Sequence, residues 1–261
     1  MASGSELVEG CVEAVRRGGA ILAERFSQPR TIERKGSVDL VTDADRASEE
    51  AVVGFLRARF PAAAILAEES GEHAGSPRGE LRFYVDPLDG TTNYAHGVPH
   101  FAVTVAVADG AGLAAGAILD PLRGELFTTT RGGGAFLGER RLGVSACGRL
   151  RDALLVTGFA YDAHLNPTYA LRLFGDFTTR AQSVRRLGSA ALDLAYVAAG
   201  RFDGFWEERL KPWDVAAGIL MVREAGGRVS DLDGGERMFE TGDILAAPPA
   251  LFQAMREVVK R

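Results

Sequence analysis

A short apolar run at residues 83–85 ends abruptly in two carboxylates that stand three residues apart, Asp86 and Asp89. Pro87 restricts the backbone between them because its ring fixes φ, and Gly90 lets the chain turn where other residues would be strained. This pattern predicts a buried strand whose end holds two hard anionic ligands on nearly rigid backbone. Free N–H groups after the second carboxylate would suit a phosphate beside a divalent cation.

Length and composition exclude several classes of protein. With 261 residues, of which 46 % are hydrophobic and 25 % charged, the chain can bury a large core as one domain or two packed lobes. The net charge of −5 argues against a nucleic acid or a membrane held by bulk charge, but not against an anionic substrate beside metal ions. Two cysteines do not make a disulfide framework, and no transmembrane run or signal peptide is recognisable. We therefore expect a cytoplasmic protein.

Apolar spacing and turn residues predict alternating helices and strands. Residues 5–27 show helical spacing, residues 62–67 resemble a buried strand that runs into Glu68, and an Asp-Gly-Ala-Gly turn between 101–108 and 113–119 predicts a hairpin. Further predictions are helices at 47–56, 166–180, 189–200, 215–225 and from about 250, strands at 81–85, 154–158, 205–207 and 244–246, a surface loop at 71–80 and a strand-like segment at 142–144. We place an N-terminal α+β lobe at 1–148 and a C-terminal α/β lobe at 149–261.

Two carboxylates have an ordinary structural explanation when each is considered alone. Thr42 followed three residues later by Asp45 resembles a capping box at a helix start. Asp214 stands after Pro212 and Trp213 in the first turn of another predicted helix, where the helix dipole favours a negative charge. Considered alone, each would be interpreted as a capping residue.

The acidic residues Glu68, Asp86, Asp89 and Asp214 are more informative together. Ends of strands and starts of helices are where small-ligand sites cluster in α/β folds. Carboxylates that converge there repel one another unless a cation compensates them, and an all-oxygen ligand set selects Mg²⁺ or Mn²⁺ over Zn²⁺. By contrast, residues 120–123 repeat Asp-Pro-Leu with an arginine as fourth residue, which predicts a turn without a metal role.

Several motifs follow one another in a fixed order between Lys35 and Gly227. They are residues 39–45, Glu68-Glu69-Ser70, residues 86–93, residues 188–191, residues 205–214 and residues 213–218. Together they resemble the inositol monophosphatase family. The resemblance implies an α/β (α+β) layered sandwich of alternating helix and sheet layers, of the inositol monophosphatase/fructose-bisphosphatase type. It also implies Mg²⁺-dependent hydrolysis of a small phosphorylated alcohol, lithium sensitivity and a homodimer.

The same resemblance implies a metal site for two or three Mg²⁺ ions, with Mn²⁺ as an alternative. The implied ligands are Glu68, Asp86, the carbonyl of Leu88, Asp89 and Asp214.

Catalytic and substrate roles follow from the same motifs. Thr91, paired with Asp45, would orient and activate the attacking water, and Glu68 would take part in catalysis. The N–H groups of Gly90 and Thr91 would receive the phosphate. The implied substrate contacts are Asp89, Gly90, Thr91, Ser189, Ala190, Glu207 and Asp214. Ser189 stands where some relatives have threonine, so the match to the family is looser on this side of the site.

The resemblance leaves the phosphorylated alcohol open. myo-Inositol 1-phosphate is the leading expectation, because Glu207 would accept hydroxyl hydrogen bonds, and histidinol phosphate, fructose 1,6-bisphosphate and nucleotide 3′-phosphates are the alternatives. A haloacid-dehalogenase-like phosphatase is disfavoured, because its motif needs two aspartates two residues apart, whereas Asp86 and Asp89 are three apart. A catalytically silent regulatory or binding protein on the same fold is the alternative from another class.

Overall fold

The computed structural model describes residues 2–28, 32–34, 40–76, 80–160 and 163–260. Residues 35–39, which include the start of the 39–45 motif, lie outside the described residues. The helices are α1 Gly4–Arg25, α2 Asp43–Arg59, α3 Thr91–Ala95, α4 Thr168–Thr178, α5 Ala190–Ala198, α6 Pro212–Glu224, α7 Met238–Thr241 and α8 Pro249–Val259. The strands are β1 Ile32–Arg34, β2 Leu40–Thr42, β3 Ala64–Ala67, β4 Gly71–His73, β5 Arg82–Asp89, β6 Ala102–Asp109, β7 Gly112–Asp120, β8 Glu125–Thr130, β9 Gly134–Leu137, β10 Arg140–Arg141, β11 Leu154–Thr157, β12 Ser183–Arg185, β13 Gly204–Glu207, β14 Arg228–Ser230 and β15 Ile244–Ala247.

Two large sheets organise the described parts of the chain. The first has eight strands in the order β10-β9-β8-β7-β6-β5-β3-β4, antiparallel except where β3 runs parallel to β5. The second has five strands in the order β12-β11-β13-β15-β14, with β11 parallel to both of its neighbours. Strands β1 and β2 form a separate antiparallel pair.

Helices cover the sheets in alternating layers. Helices α1 and α2 pack on one face of the eight-stranded sheet, and α5 and α6 fill the space between the two sheets. Helices α4 and α8 close the far face of the five-stranded sheet, where Phe177 stacks on Trp206. The predicted class of alternating helix and sheet layers is therefore confirmed.

Amphipathicity explains where each helix lies. Every residue of α5 is buried, as expected for an apolar helix enclosed between two sheets. Helix α1 instead buries one face, and its Gly18 and Gly19 allow close approach, because a Cβ on Gly18 would lie 2.5 Å from the hydroxyl of Ser48 on α2. No helix among the residues described is long and apolar enough to cross a membrane.

Most of the predicted elements are present, and two are corrected. The predicted loop at 71–80 begins with a real strand, β4, because its backbone pairs with β3; residues 77–79 lie outside the described part. The prediction of a strand-like segment at 142–144 is wrong. Strand pairing in the first sheet ends at β10, and Val144 instead donates a backbone hydrogen bond to Ala225.

Candidate active site

One pocket, of about 290 Å³, lies where β3, β5 and β13 end beside the starts of α3, α5 and α6. All predicted site residues except Asp45 line it: Glu68, Asp86, Leu88, Asp89, Gly90, Thr91, Ser189, Ala190, Glu207 and Asp214. Asp45 lies behind the lining and reaches the pocket through Thr91. The volume is at the small end of ligand pockets, which suits a compact molecule. The fold thus brings together lining residues that are up to 146 positions apart in the chain, from Glu68 to Asp214.

Asp86 and Asp89 stand on a β-bulge within strand β5 rather than beyond the end of that strand. Strand β5 continues through Asp89, and its register with β6 shifts between Asp86 and Asp89. The N–H of Leu88 donates to Oδ1 of Asp86 at 2.9 Å, which fixes that carboxylate inside the bulge. Burial raises the pKa of Asp86 well above its ordinary value, and the nearby charges of Glu68, Asp89 and Asp214 raise it further.

Asp89 joins the two sheets through the start of α5. Its Oδ2 accepts from the hydroxyl of Ser189 at 2.6 Å and from the N–H of Ala191 at 2.7 Å. The Ser189 hydroxyl is also the N-cap acceptor for Leu192, so the predicted cap is confirmed. Burial raises the pKa of Asp89 to about 6, although its hydrogen bonds favour the charged form.

Asp214 lies in the first turn of α6, as predicted. Its Oδ2 accepts from the backbone N–H of Lys211 at 2.8 Å, and Pro212 occupies the first turn, where no N–H is required. Burial raises its pKa well above the ordinary value, and the charges of Asp89, Glu68 and Glu207 add to the effect. The residue therefore caps a helix and faces the other carboxylates at the same time.

Thr91 and Asp45 form a buried pair behind the pocket. Thr91 Oγ1 lies 3.0 Å from Oδ1 of Asp45 and 3.0 Å from the carbonyl oxygen of Leu88. One hydroxyl hydrogen donates to only one of these acceptors at a time. The other oxygen of Asp45 accepts from the N–H of Thr42, 2.8 Å away, which confirms the predicted capping box. Asp45 therefore has both a structural contact and a contact with the site.

Gly90 shapes the turn that follows the carboxylates. Its φ of 99° lies in the left-handed region, and a Cβ would come within 3.2 Å of the carbonyl oxygens of both His100 and Gly188. Only glycine fits this position without strain. The turn leads directly into α3, whose first N–H groups have no helical partner, and Gly90, Thr91 and Thr92 line the pocket there.

Glu207 forms the opposite wall of the pocket. It ends β13 and is 7 % exposed, and a Cβ on the neighbouring Gly158 would lie 2.2 Å from its carboxylate. Burial raises the pKa of Glu207 to about 8, partly opposed by the positive charge of Arg186. A small residue at position 158 thus leaves room for this carboxylate.

Several lining residues were not predicted from the sequence. Arg186 and Lys211 place positive charge on an otherwise acidic pocket, and Gly158, Phe159 and Trp213 supply part of its wall. Arg186 stands two residues before Gly188 and Lys211 just before Pro212, so their closeness to recognised motifs was the available signal.

The donor set fits divalent cations. Four carboxylates and the Leu88 carbonyl offer only oxygen ligands, and burial together with the neighbouring carboxylates raises the pKa values of Asp86 and Asp214. Over the residues described, no three His, Cys, Asp or Glu side chains are already gathered tightly enough to enclose an ion.

The layered fold and the acidic pocket belong to a known class. The chain belongs to the inositol monophosphatase family, whose model matches residues 4–260. The resemblance inferred from the motifs is thus confirmed, and the membership supports a phosphatase of a metal-dependent family.

Similar proteins carry two kinds of name. "Nus factor SuhB" of Salmonella typhimurium (strain LT2) is 46 % identical over 246 residues, which cover 94 % of this chain and 92 % of that protein. "Inositol-1-monophosphatase" of Rhizobium meliloti (strain 1021) is 42 % identical over 259 residues, covering 98 % and 97 %. Among solved structures, extragenic suppressor protein suhB from Bartonella henselae matches with a TM-score of 0.92 at 41 % identity, covering 97 % of this chain and 98 % of that chain.

Proposed function

We propose that the chain is a Mg²⁺-dependent phosphomonoesterase whose substrate is a small phosphorylated polyol, with myo-inositol 1-phosphate as the leading candidate. The carrying observation is that four carboxylates, the Gly90 turn and the Thr91–Asp45 pair meet in one pocket. The family membership and the relatives named inositol-1-monophosphatase support the same reading.

In this proposal the ions are held by Glu68, Asp86, the carbonyl of Leu88, Asp89 and Asp214. Bound Mg²⁺, or Mn²⁺ in its place, supplies Lewis-acid stabilisation of phosphoryl charge and makes a nucleophilic water available at neutral pH.

The chain's own groups position the phosphate and move the proton. The N–H groups of Gly90 and Thr91 bind phosphate oxygens. Once the Leu88 carbonyl is used as a ligand, the Thr91 hydroxyl donates to Oδ1 of Asp45, 3.0 Å away, and its lone pair accepts a hydrogen bond from the attacking water. As that water attacks phosphorus in line, the ester P–O bond breaks and the departing alkoxide takes up a proton from solvent water. Thr91 takes the attacking water's proton and passes its own to Asp45. Glu68 orients the same water. No covalent enzyme intermediate forms.

The alcohol part of the substrate lies against the second sheet. Glu207 accepts hydrogen bonds from ring hydroxyls, and Ser189 and Ala190, which line the same pocket, face the alcohol part. Phosphate release from myo-inositol 1-phosphate, histidinol phosphate, fructose 1,6-bisphosphate and a nucleotide 3′-phosphate, each at the same Mg²⁺ concentration, tests the assignment. We expect the highest kcat/KM with the inositol ester. In excess EDTA we expect no phosphate release from any of the four. Failure to hydrolyse any of the four with Mg²⁺ present would contradict the proposal.

A second candidate function is suggested by the relatives named Nus factor SuhB, which are 45–46 % identical to this chain. In this proposal the chain acts as a Nus factor, as those relatives are named. Expressing it in a Salmonella strain that lacks the relative tests this, with the Asp86→Asn variant alongside. Rescue by both forms would separate such a role from catalysis, whereas rescue by neither would contradict it.

The proposal also covers the oligomeric state and the cellular location of the protein. We propose a homodimer, lithium-sensitive and cytoplasmic, with lobes at 1–148 and 149–261 that each contain one of the large sheets. Light scattering after gel filtration should give about twice the chain mass of 27.8 kDa. A mass of one chain would contradict the dimer.

A further inference from the structure

One face of α2 lies against both carboxylate-bearing turns of the pocket. Ser48 and Glu49 stand three and four residues after Asp45, so both lie on the same side of the helix as Asp45. All three are buried, although polar side chains are seldom buried without a specific partner. Asp45 contacts Thr91, and the other two residues contact backbone next to the proposed metal ligands.

Glu49 holds the turn that follows Glu68. Its Oε2 accepts from the N–H of Glu69 and its Oε1 from the N–H of Ser70, each at 2.8 Å. On the other side, the N–H of Glu68 continues the strand pairing by donating to the carbonyl of Val85 at 3.1 Å. The backbone that carries the Glu68 carboxylate is thus held from both directions.

Ser48 holds the bulge that carries Asp86. Its hydroxyl donates to the carbonyl of Pro87 at 2.8 Å. Pro87 lies between Asp86 and Leu88, in the stretch where the register between β5 and β6 shifts. Gly18 of α1 packs so closely on Ser48 that the hydroxyl has little freedom to move away.

A buried carboxylate at Glu49 is costly beside an already acidic pocket. It adds negative charge near Glu68, and removing it from water is unfavourable unless hydrogen bonds compensate. The two N–H groups supply that compensation, since bonds to a carboxylate are stronger than those to a neutral acceptor. An apolar side chain would fill the space without this repulsion but would leave both N–H groups unsatisfied.

We propose that Glu49 and Ser48 are positioning residues that fix Glu68 and the Asp86–Leu88 bulge in the arrangement that binds Mg²⁺. The inference rests on the proposed function. Neither side chain touches an ion or the substrate. Helix α2 thereby acts as a template, because a single rigid element sets the spacing of ligands that come from two different strands.

The test is Mg²⁺ binding by calorimetry to the full chain and to a Glu49→Gln variant. Glutamine is nearly isosteric, but its NH₂ group would face one of the two N–H donors. We expect the Kd for Mg²⁺ to rise about tenfold or more, as is typical when groups that orient metal ligands are changed. At saturating Mg²⁺ most of kcat should return, with KM for the substrate little changed, because no substrate contact is altered.

Asp231→Asn is the matched control. Asp231 is also buried, and its two oxygens accept from the N–H groups of Gly235 and Arg237 in a turn that does not line the pocket. Both variants should lower the melting temperature, but only Glu49→Gln should weaken Mg²⁺ binding. Ser48→Ala provides a second test, with a smaller rise in Kd, if Glu49→Gln does not fold.

The outcomes separate this inference from the function on which it rests. If the unmodified chain binds Mg²⁺ and folded Glu49→Gln binds it with the same Kd, the inference is wrong and the proposed function stands. If Asp231→Asn weakens binding as much as Glu49→Gln does, general destabilisation explains the effect and the inference is again wrong. If the unmodified chain binds no Mg²⁺, both fail.

Discussion

Replacing Asp86 by asparagine should change stability and activity in opposite directions. The side chain is 2 % exposed, and burial raises its pKa first, with the charges of three neighbouring carboxylates raising it further. Asparagine removes that repulsion, and its Oδ1 still accepts the hydrogen bond that Leu88 N–H now donates at 2.9 Å. The bulge is therefore kept while one charged metal ligand is lost.

The expected changes in stability and in turnover follow from the same contacts. A stabilising substitution commonly raises the free energy of unfolding by about 0.5–2 kcal/mol, and we expect a gain of this size from relief of the charge repulsion. For a chain of this length that corresponds to a melting temperature about 1–8 °C higher in EDTA. Mg²⁺ at ten times its Kd should stabilise the unmodified chain by about 1.4 kcal/mol but the variant much less. Loss of about 4 kcal/mol of charge stabilisation in the transition state would slow turnover about a thousandfold.

Calorimetric melts at pH 8, with EDTA and with Mg²⁺, measure the first effect, and phosphate release measures the second. Stabilisation should be largest at this pH, because a carboxylate whose pKa is raised on folding destabilises the fold once it ionises. Near-normal Mg²⁺-dependent turnover by the variant would refute the metal assignment. A lower melting temperature in EDTA would refute the argument from charge repulsion.

Two further predictions concern proton transfer and pH. Thr91→Val keeps the shape of the side chain but removes the hydroxyl, so kcat, measured by phosphate release, should fall about 10²–10⁴-fold. The Kd for Mg²⁺, measured by calorimetry, should change little. An unchanged kcat would exclude Thr91 from the proton path. Because burial raises the pKa of Asp89 to about 6 and that of Glu207 to about 8, the folded metal-free chain binds more protons than the unfolded chain. Its stability in EDTA should therefore fall as the pH rises from about 4 to 8, and melting temperatures that rise across that range would contradict this.

Local sequence predicted those parts of the fold that depend on neighbours in the chain. The capping box of Thr42 and Asp45, the N-cap at Ser189 and the first-turn position of Asp214 each follow from residues within three or four positions. Family motifs then identified ten of the residues that line the pocket but not its positive charges, Arg186 and Lys211. Such features are predictable because caps, turns and helix starts are satisfied by short-range hydrogen bonds.

The strand-like segment 142–144 and the loop at 71–80 were misjudged because pairing partners decide whether an apolar or a polar run becomes a strand. Gly71–His73 is a strand only because β3 lies beside it. At 142–144, Leu142 still donates to the carbonyl of Ala135 on β9, but Val144 donates to Ala225 at the end of α6, so the described strand pairing ends with β10. Propensity in a short run is a weak signal compared with this tertiary context.

The chemical groups of the Asp86–Thr91 turn, namely two carboxylates, a flexible glycine and a hydroxyl, follow directly from its amino acids. The contacts that hold these groups in place come from distant parts of the fold. Asp89 accepts from Ser189, 100 residues away, and the amide of Asn93 donates to the carbonyl of Leu187 at 2.8 Å, which ties the turn to the start of α5. Glu49 and its two N–H partners are likewise joined across twenty residues. Contacts of this range arise from the packing of whole layers, so no local pattern of residues specifies them.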